Sequence, residues 1–132
     1  MNDPTPAART ATLAREVSAA DTARAFGADF PEAAATPFVL GLAEVACHEA
    51  VAAELADGQI TVGVAATVSH RAPTPVGETL TAVASAVGRE GRRLRFRVVV
   101  SDALGECAVV EHERAIVDAR QIADRLQDRT RR

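Results

Sequence analysis

The chain has 132 residues, 48% hydrophobic and 25% charged, with a net charge of -3. That length supports one domain with one core. The weakly acidic balance and the absence of Trp and Tyr argue against a nucleic-acid face or an aromatic stacking platform.

The first residues, to Ala8, are polar and carry Pro4 and Pro6. They read as a frayed terminus, with a disordered tail over 1–9 and a single domain over 10–132. The first fifteen residues hold no apolar segment of signal-peptide type, so a cytoplasmic protein is expected. Thr10 to Val17 reads as a first strand. Ser18 to Asp29 is polar, with Asp21-Thr22 as a turn or short strand start. Phe30-Pro31-Glu32 then interrupts regular structure.

Thr36-Pro37 opens a helix: the threonine is placed to cap it, and proline suits the first turn because its missing N–H had no partner there. From Phe38 to Cys47 the run is apolar on every side except at Glu44. It is too short to span a bilayer, so a core position is expected and no membrane partner. A carboxylate in the middle of such a helix is costly unless it is paired or hydrogen-bonded, and so marks a site. The helix should end near Leu55-Ala56-Asp57-Gly58.

The period then changes to two. Ile60, Val62, Val64, Ala66 and Val68 alternate with smaller or polar residues, and His70 continues the apolar parity toward the core. Thr79 to Gly88 is a second strand with small residues on one face. Arg89-Glu90-Gly91-Arg92 makes a hairpin turn. Leu94, Phe96, Val98 and Val100 mark a third strand of the series, and Asp102-Ala103-Leu104-Gly105 a second turn. Cys107 to Asp118 is a last strand where a bulge fits the mixed parity. Ala119 to Gln127 forms a short terminal helix. The plan is α+β: a curved antiparallel five-stranded sheet wrapped around one long apolar central helix. A sheet edge offers a homodimer interface.

Cys47 and Cys107 make no disulfide framework. His48, His70 and His112 are too scattered for a metal motif. Arg89, Arg92, Arg93, Arg95 and Arg97 are read as a solvated charged face, with phosphate contact as the rarer alternative.

From Phe30 to Asp118 the chain resembles hotdog-fold acyl-coenzyme A thioesterases, in particular the fluoroacetyl-CoA thioesterase family. The resemblance rests on Thr36 to Glu44, Val68-Ser69-His70, Glu90-Gly91-Arg92-Arg93-Leu94 and His112-Glu113-Arg114-Ala115. Thr36, Glu44 eight residues later and His70 twenty-six after that reproduce the spacing of the family's catalytic group. The resemblance further implies that Phe30 gates the pocket and that Gly63 and Arg114 serve substrate binding; Phe38, with Phe30 and the helix start, is expected to close a small substrate pocket. Pro37 after the threonine departs from the family pattern. Each residue alone has a plain structural reading: Thr36 as a cap, His70 as a hydrogen-bonded strand-end residue, Phe30 as packing.

The activity implied is hydrolysis of a short, fluoroacetyl-CoA-like acyl-CoA to the free acid and CoA. No cofactor is implied, since coenzyme A belongs to the substrate. Glu44 is placed to act as general base or nucleophile and His70 to relay the proton. The rivals are a hydratase or dehydratase on the same fold, and an acyl-CoA-binding module without turnover. Eight helical residues rise about 12 Å, too far for Thr36 and Glu44 of one chain to share a carbonyl. Either the helix start is irregular, or Thr36 of one subunit faces Glu44 of another.

Overall fold

The computed structural model describes residues 9–130. The tail expected over 1–9 lies outside them except at Arg9, which is buried. Strands β1 (Thr10–Glu16), β2 (Gln59–His70), β3 (Thr79–Glu90), β4 (Arg93–Asp102) and β5 (Gly105–Asp118) join helix α1 (Thr36–Val51) and a terminal helix α2 (Ala119–Thr130). The sheet order is β1-β3-β4-β5-β2, antiparallel throughout. This is the α+β hotdog arrangement, with α1 against one face of the sheet.

Side-chain size explains how closely the helix sits. Val39, Leu42, Ala43, Ala46, Cys47 and Val51 of α1 are buried against Leu80, Ala82, Ala84 and Ala86 of β3 and Leu94, Phe96, Val98 and Val100 of β4. The alanines on both sides let the backbones approach, and the larger residues fill the space around them. The helix is not enclosed on all sides: Val45 is 43% exposed, and Leu40, Gly41 and Glu44 are partly so. Together with the single turn that follows, the segment Thr36–Glu54 is long and apolar enough to cross a membrane by length and composition. Here its buried stripe packs on the sheet.

Several local expectations need correction. Thr36 is not the helix cap. Ala35 holds the extended cap conformation, and its carbonyl accepts the Val39 N–H at 3.0 Å. That leaves the Thr36 hydroxyl free for another partner. The α-helix stops at Val51 and tightens into a 3-10 turn over Ala52–Glu54 before Gly58, which has a φ of +83°. Ser18–Asp29 forms two 3-10 turns, and Thr22 bridges to Ala34.

The most consequential difference is in β2. Gly63 pairs with Arg114 and Ala65 with Glu113, so Val64 is an extra residue, a bulge. Thr61 and Gly63 therefore face the helix instead of Ile60 and Val62. Beyond the bulge the parity flips, and Ala66, Val68 and His70 face it, as the alternation predicts for that half. In β5 the expected bulge falls at Cys107, opposite the step from Val100 to Ser101.

Candidate active site

Two polar clusters lie along α1, at different heights. The first is at its start. Thr36 occupies the first helical turn, and the last residue of β2 comes up beside it. Thr36 Oγ1 and His70 Nδ1 share a hydrogen bond of 2.8 Å. They open onto a cleft of about 300 Å³ lined with Pro31, Ala34, Arg71, Ala72 and Pro73. The first N–H groups of the helix have no acceptor within it and lie at the same end.

The second cluster surrounds Glu44 in the middle of α1, where the β2 bulge and β5 pass. Arg114 is buried, and all three of its guanidinium nitrogens donate. Its Nε donates to Thr61 Oγ1 at 2.8 Å, one terminal nitrogen donates to the Thr61 carbonyl at 3.0 Å, and the other lies 3.1 Å from His112 Nε2 and 3.4 Å from Glu44 Oε2. Because arginine can only donate, His112 Nε2 must be the acceptor. His112 Nδ1 then carries the proton and donates to the Ala65 carbonyl at 2.9 Å. This fixes a neutral tautomer. Burial, the largest effect, together with the neighbouring Arg114 charge holds the His112 pKa below its ordinary value, against the Ala65 hydrogen bond and the Glu44 charge. The 3.5 Å approach of His112 Nε2 to Glu44 Oε2 is thus two acceptors around one donor, not an ion pair.

The network extends outward. Thr61 Oγ1 accepts from Arg114 and shares a second hydrogen bond with His48 Nδ1, 2.7 Å away. A chain of hydrogen bonds from His48 through Thr61 to Arg114 ends on Glu44 Oε2. Oε1 of Glu44 makes no hydrogen bond among the described residues and the side chain is 38% exposed, so this oxygen faces an accessible space.

Gly63 explains how the carboxylate fits. A Cβ on Gly63 would lie 2.3 Å from Glu44 Oε2. The bare backbone is the floor on which the carboxylate rests.

The structure therefore brings together Thr36 with His70, and Glu44 with Gly63 and Arg114. It does not bring the two groups together within one chain: Glu44 is absent from the cleft at Thr36 and His70. Phe38 lines a separate hollow of about 190 Å³ with Arg15, Gly41, Leu42 and Val45. Phe30 is 53% exposed on the loop before α1, with its ring over Gly27, outside the Thr36 cleft. His112, Thr61 and His48 are the site residues that the sequence reading missed. For His112 a signal existed, since it shares the inward parity of Val110, Arg114 and Ile116.

Residues 17–120 match the family described as FlK, fluoroacetyl-CoA-specific thioesterase. The chain is 40% identical over 103 residues to the fluoroacetyl-CoA thioesterase of Streptantibioticus cattleyicolor, covering 78% of this chain and 74% of that protein. Its structure is similar to that of the fluoroacetyl-CoA thioesterase FlK, with a TM-score of 0.88 and 34% identity across 96% of this chain and 98% of the other. It is similar also to a mutant of FlK in complex with acetyl-CoA, with a TM-score of 0.89 and 34% identity across 94% and 98%.

Proposed function

The chain belongs to the fluoroacetyl-CoA-specific thioesterase family, and from that premise we propose that it hydrolyses a short acyl-CoA, of the fluoroacetyl-CoA kind, to the free acid and CoA. The observation that carries the reading is the pair of prepared groups on one helix. Glu44 has one oxygen held by Arg114 and one open, and Thr36 is hydrogen-bonded to His70.

The chemistry follows from those groups. Glu44 takes a proton from water as the oxygen adds to the thioester carbonyl, or adds to that carbon itself to give, once the thiolate has left, a mixed anhydride that water then hydrolyses to the free acid and Glu44. The free N–H groups at the start of α1 and the Thr36 hydroxyl suit the developing oxyanion. The carbon–sulfur bond breaks as the carbonyl re-forms, and His70 delivers a proton to the departing thiolate. Arg114 holds one oxygen of Glu44 in place, and Gly63 leaves the carboxylate room.

In our reading one reaction centre uses Thr36 and His70 of one protomer and Glu44 of a second, in a homodimer. The helix rise supports this, as does the separation of the two clusters. The outer edge of β2 supports it too: residues 63–67 are exposed in succession there, and Val64 is 44% exposed. Antiparallel pairing of two such edges about that run would set the His70 end of one strand beside the Gly63 end of the other. Phe30, exposed on the loop ahead of Thr36, is then a candidate gate over the shared cleft.

The test is release of free thiol from acetyl-, fluoroacetyl-, propionyl-, hexanoyl- and benzoyl-CoA by the purified protein. Turnover of the short members supports the proposal. Folded protein that releases no thiol from any of them, or that hydrates an enoyl-CoA instead, refutes it.

A further inference from the structure

The five arginines between 89 and 97 divide into two sets. Arg93 pairs with Glu113 and Arg97 with Glu111 on the outer face of the sheet, and Arg95 lies over the bare backbone of Gly88. Arg89 and Arg92 have no carboxylate partner among the described residues. They turn instead to a cleft of about 310 Å³ at the C-terminal end of α1, lined also by Arg9, Val51, Glu54, Leu55 and Gln59. Each is anchored by one donated hydrogen bond, Arg89 Nε to the Gly91 carbonyl and Arg92 to the Ile116 carbonyl.

Arg9 is the third guanidinium, only 7% exposed. One terminal nitrogen donates to Glu54 at 3.1 Å. Its Nε is buried with no hydrogen-bond partner among the described residues. A buried charged donor without an acceptor is costly. Three guanidiniums against one carboxylate leave the cleft with surplus positive charge, although the chain as a whole is acidic. Guanidinium donors in a fork match a tetrahedral oxyanion closely.

We propose that this cleft binds a phosphate group, and that in the working protein the phosphate belongs to the nucleotide end of coenzyme A. The second half rests on the hydrolase reading above. Position favours it: from Glu44 to Glu54 the helical rise is about 15 Å, a span comparable to an extended pantetheine arm. The reacting carbonyl at Glu44 and a phosphate at the arginines then belong to one substrate molecule.

The test uses the full chain and an Arg89→Ala/Arg92→Ala double variant; both side chains are exposed, and neither belongs to the reacting cluster. Adenosine 3′,5′-bisphosphate and inorganic phosphate are titrated calorimetrically into each protein. Hydrolysis of an acyl-CoA is compared with that of the same acyl group on pantetheine, which lacks the nucleotide. The proposal predicts that the bisphosphate binds wild type and not the variant. It also predicts that the variant raises KM for acyl-CoA by roughly tenfold or more, with kcat unchanged and the pantetheine thioester unaffected. Binding of inorganic phosphate alone, with KM for acyl-CoA unmoved, overturns the coenzyme A assignment. Binding of neither probe overturns the site. Failure to cleave either thioester would instead strike the hydrolase reading, while the titrations still decide the cleft.

Discussion

Gly63→Ala is the substitution that most sharply separates folding from chemistry in this molecule. The added methyl would sit 2.3 Å from Glu44 Oε2, where ordinary contact begins at 3.4 Å, so the carboxylate must withdraw by about an ångström. The same methyl would be 3.4 Å from His112 Cε1 and 3.5 Å from the Arg114 guanidinium, which can stay where they are. Glu44 moves because it is the flexible, partly exposed member of the group, and it loses its 3.4 Å contact with Arg114 as it goes. An ångström of misplacement at a reacting group costs about a hundredfold in rate, which is roughly 2.7 kcal/mol of transition-state stabilisation. Stability should move the other way. Gly63 needs no positive φ, and alanine in a strand interior is favoured over glycine by about 0.5–1 kcal/mol. The expected result is a Tm equal to or above wild type, with kcat for thiol release down about a hundredfold. A variant whose kcat stays within a few-fold of wild type would falsify the placement of Glu44 at the reacting carbonyl.

Further outcomes follow from the same geometry. Glu44→Gln should fold normally and lose about a thousandfold or more in kcat, read by thiol release at saturating substrate; substantial residual turnover rules out Glu44 as base or nucleophile. Arg114→Ala strands the Thr61 carbonyl and His112 Nε2 and leaves the Thr61 hydroxyl with His48 alone, so denaturant unfolding should show a loss on the order of 3 kcal/mol, and wild-type stability would contradict the network. His112 has a folded pKa below the usual 6.5. The unfolded chain therefore takes up its proton first as pH falls, and the stability linked to this group is complete above 6.5 and is lost below it. Urea midpoints from pH 8 to 5 should fall more steeply for wild type than for His112→Asn, and parallel curves would reject the neutral assignment. Cys47 is fully buried, with burial pushing its thiol up to about 12, and Cys107 is buried as well. Neither should react with a thiol reagent at pH 8 in the native protein, and prompt labelling of Cys47 would show that the helix–sheet contact opens.

The sequence made some of this legible and concealed the rest for physical reasons. Helix position and the succession of strands along the chain follow from local signals, a proline in the first helical turn and a period of two, whereas Thr36 and His70 are grouped only by their likeness to the family's catalytic spacing. The inward direction of Gly63 did not follow, because the bulge at Val64 interrupts an alternation that still reads Ile-Thr-Val-Gly-Val in sequence. A residue inserted between apolar neighbours leaves no mark in hydropathy, only in the partner strand's register. The network behind Glu44 was hidden for a related reason. His48 and Thr61 are thirteen residues apart and Thr61 and Arg114 fifty-three, so only folding joins them. Arg9 read as part of a tail because its partner, Glu54, comes from the far end of α1.

The central claim is that Glu44 and the Thr36–His70 pair act on one carbonyl from two protomers. Mixing tests it most directly. Glu44→Gln and His70→Ala proteins, each inactive alone, are combined, exchanged through mild denaturant and assayed for thiol release from fluoroacetyl-CoA. The account predicts that activity returns in the mixture, because each mixed dimer contains one centre with both groups intact. A mixture as inactive as its parents, with exchange verified by native mass spectrometry, would contradict it.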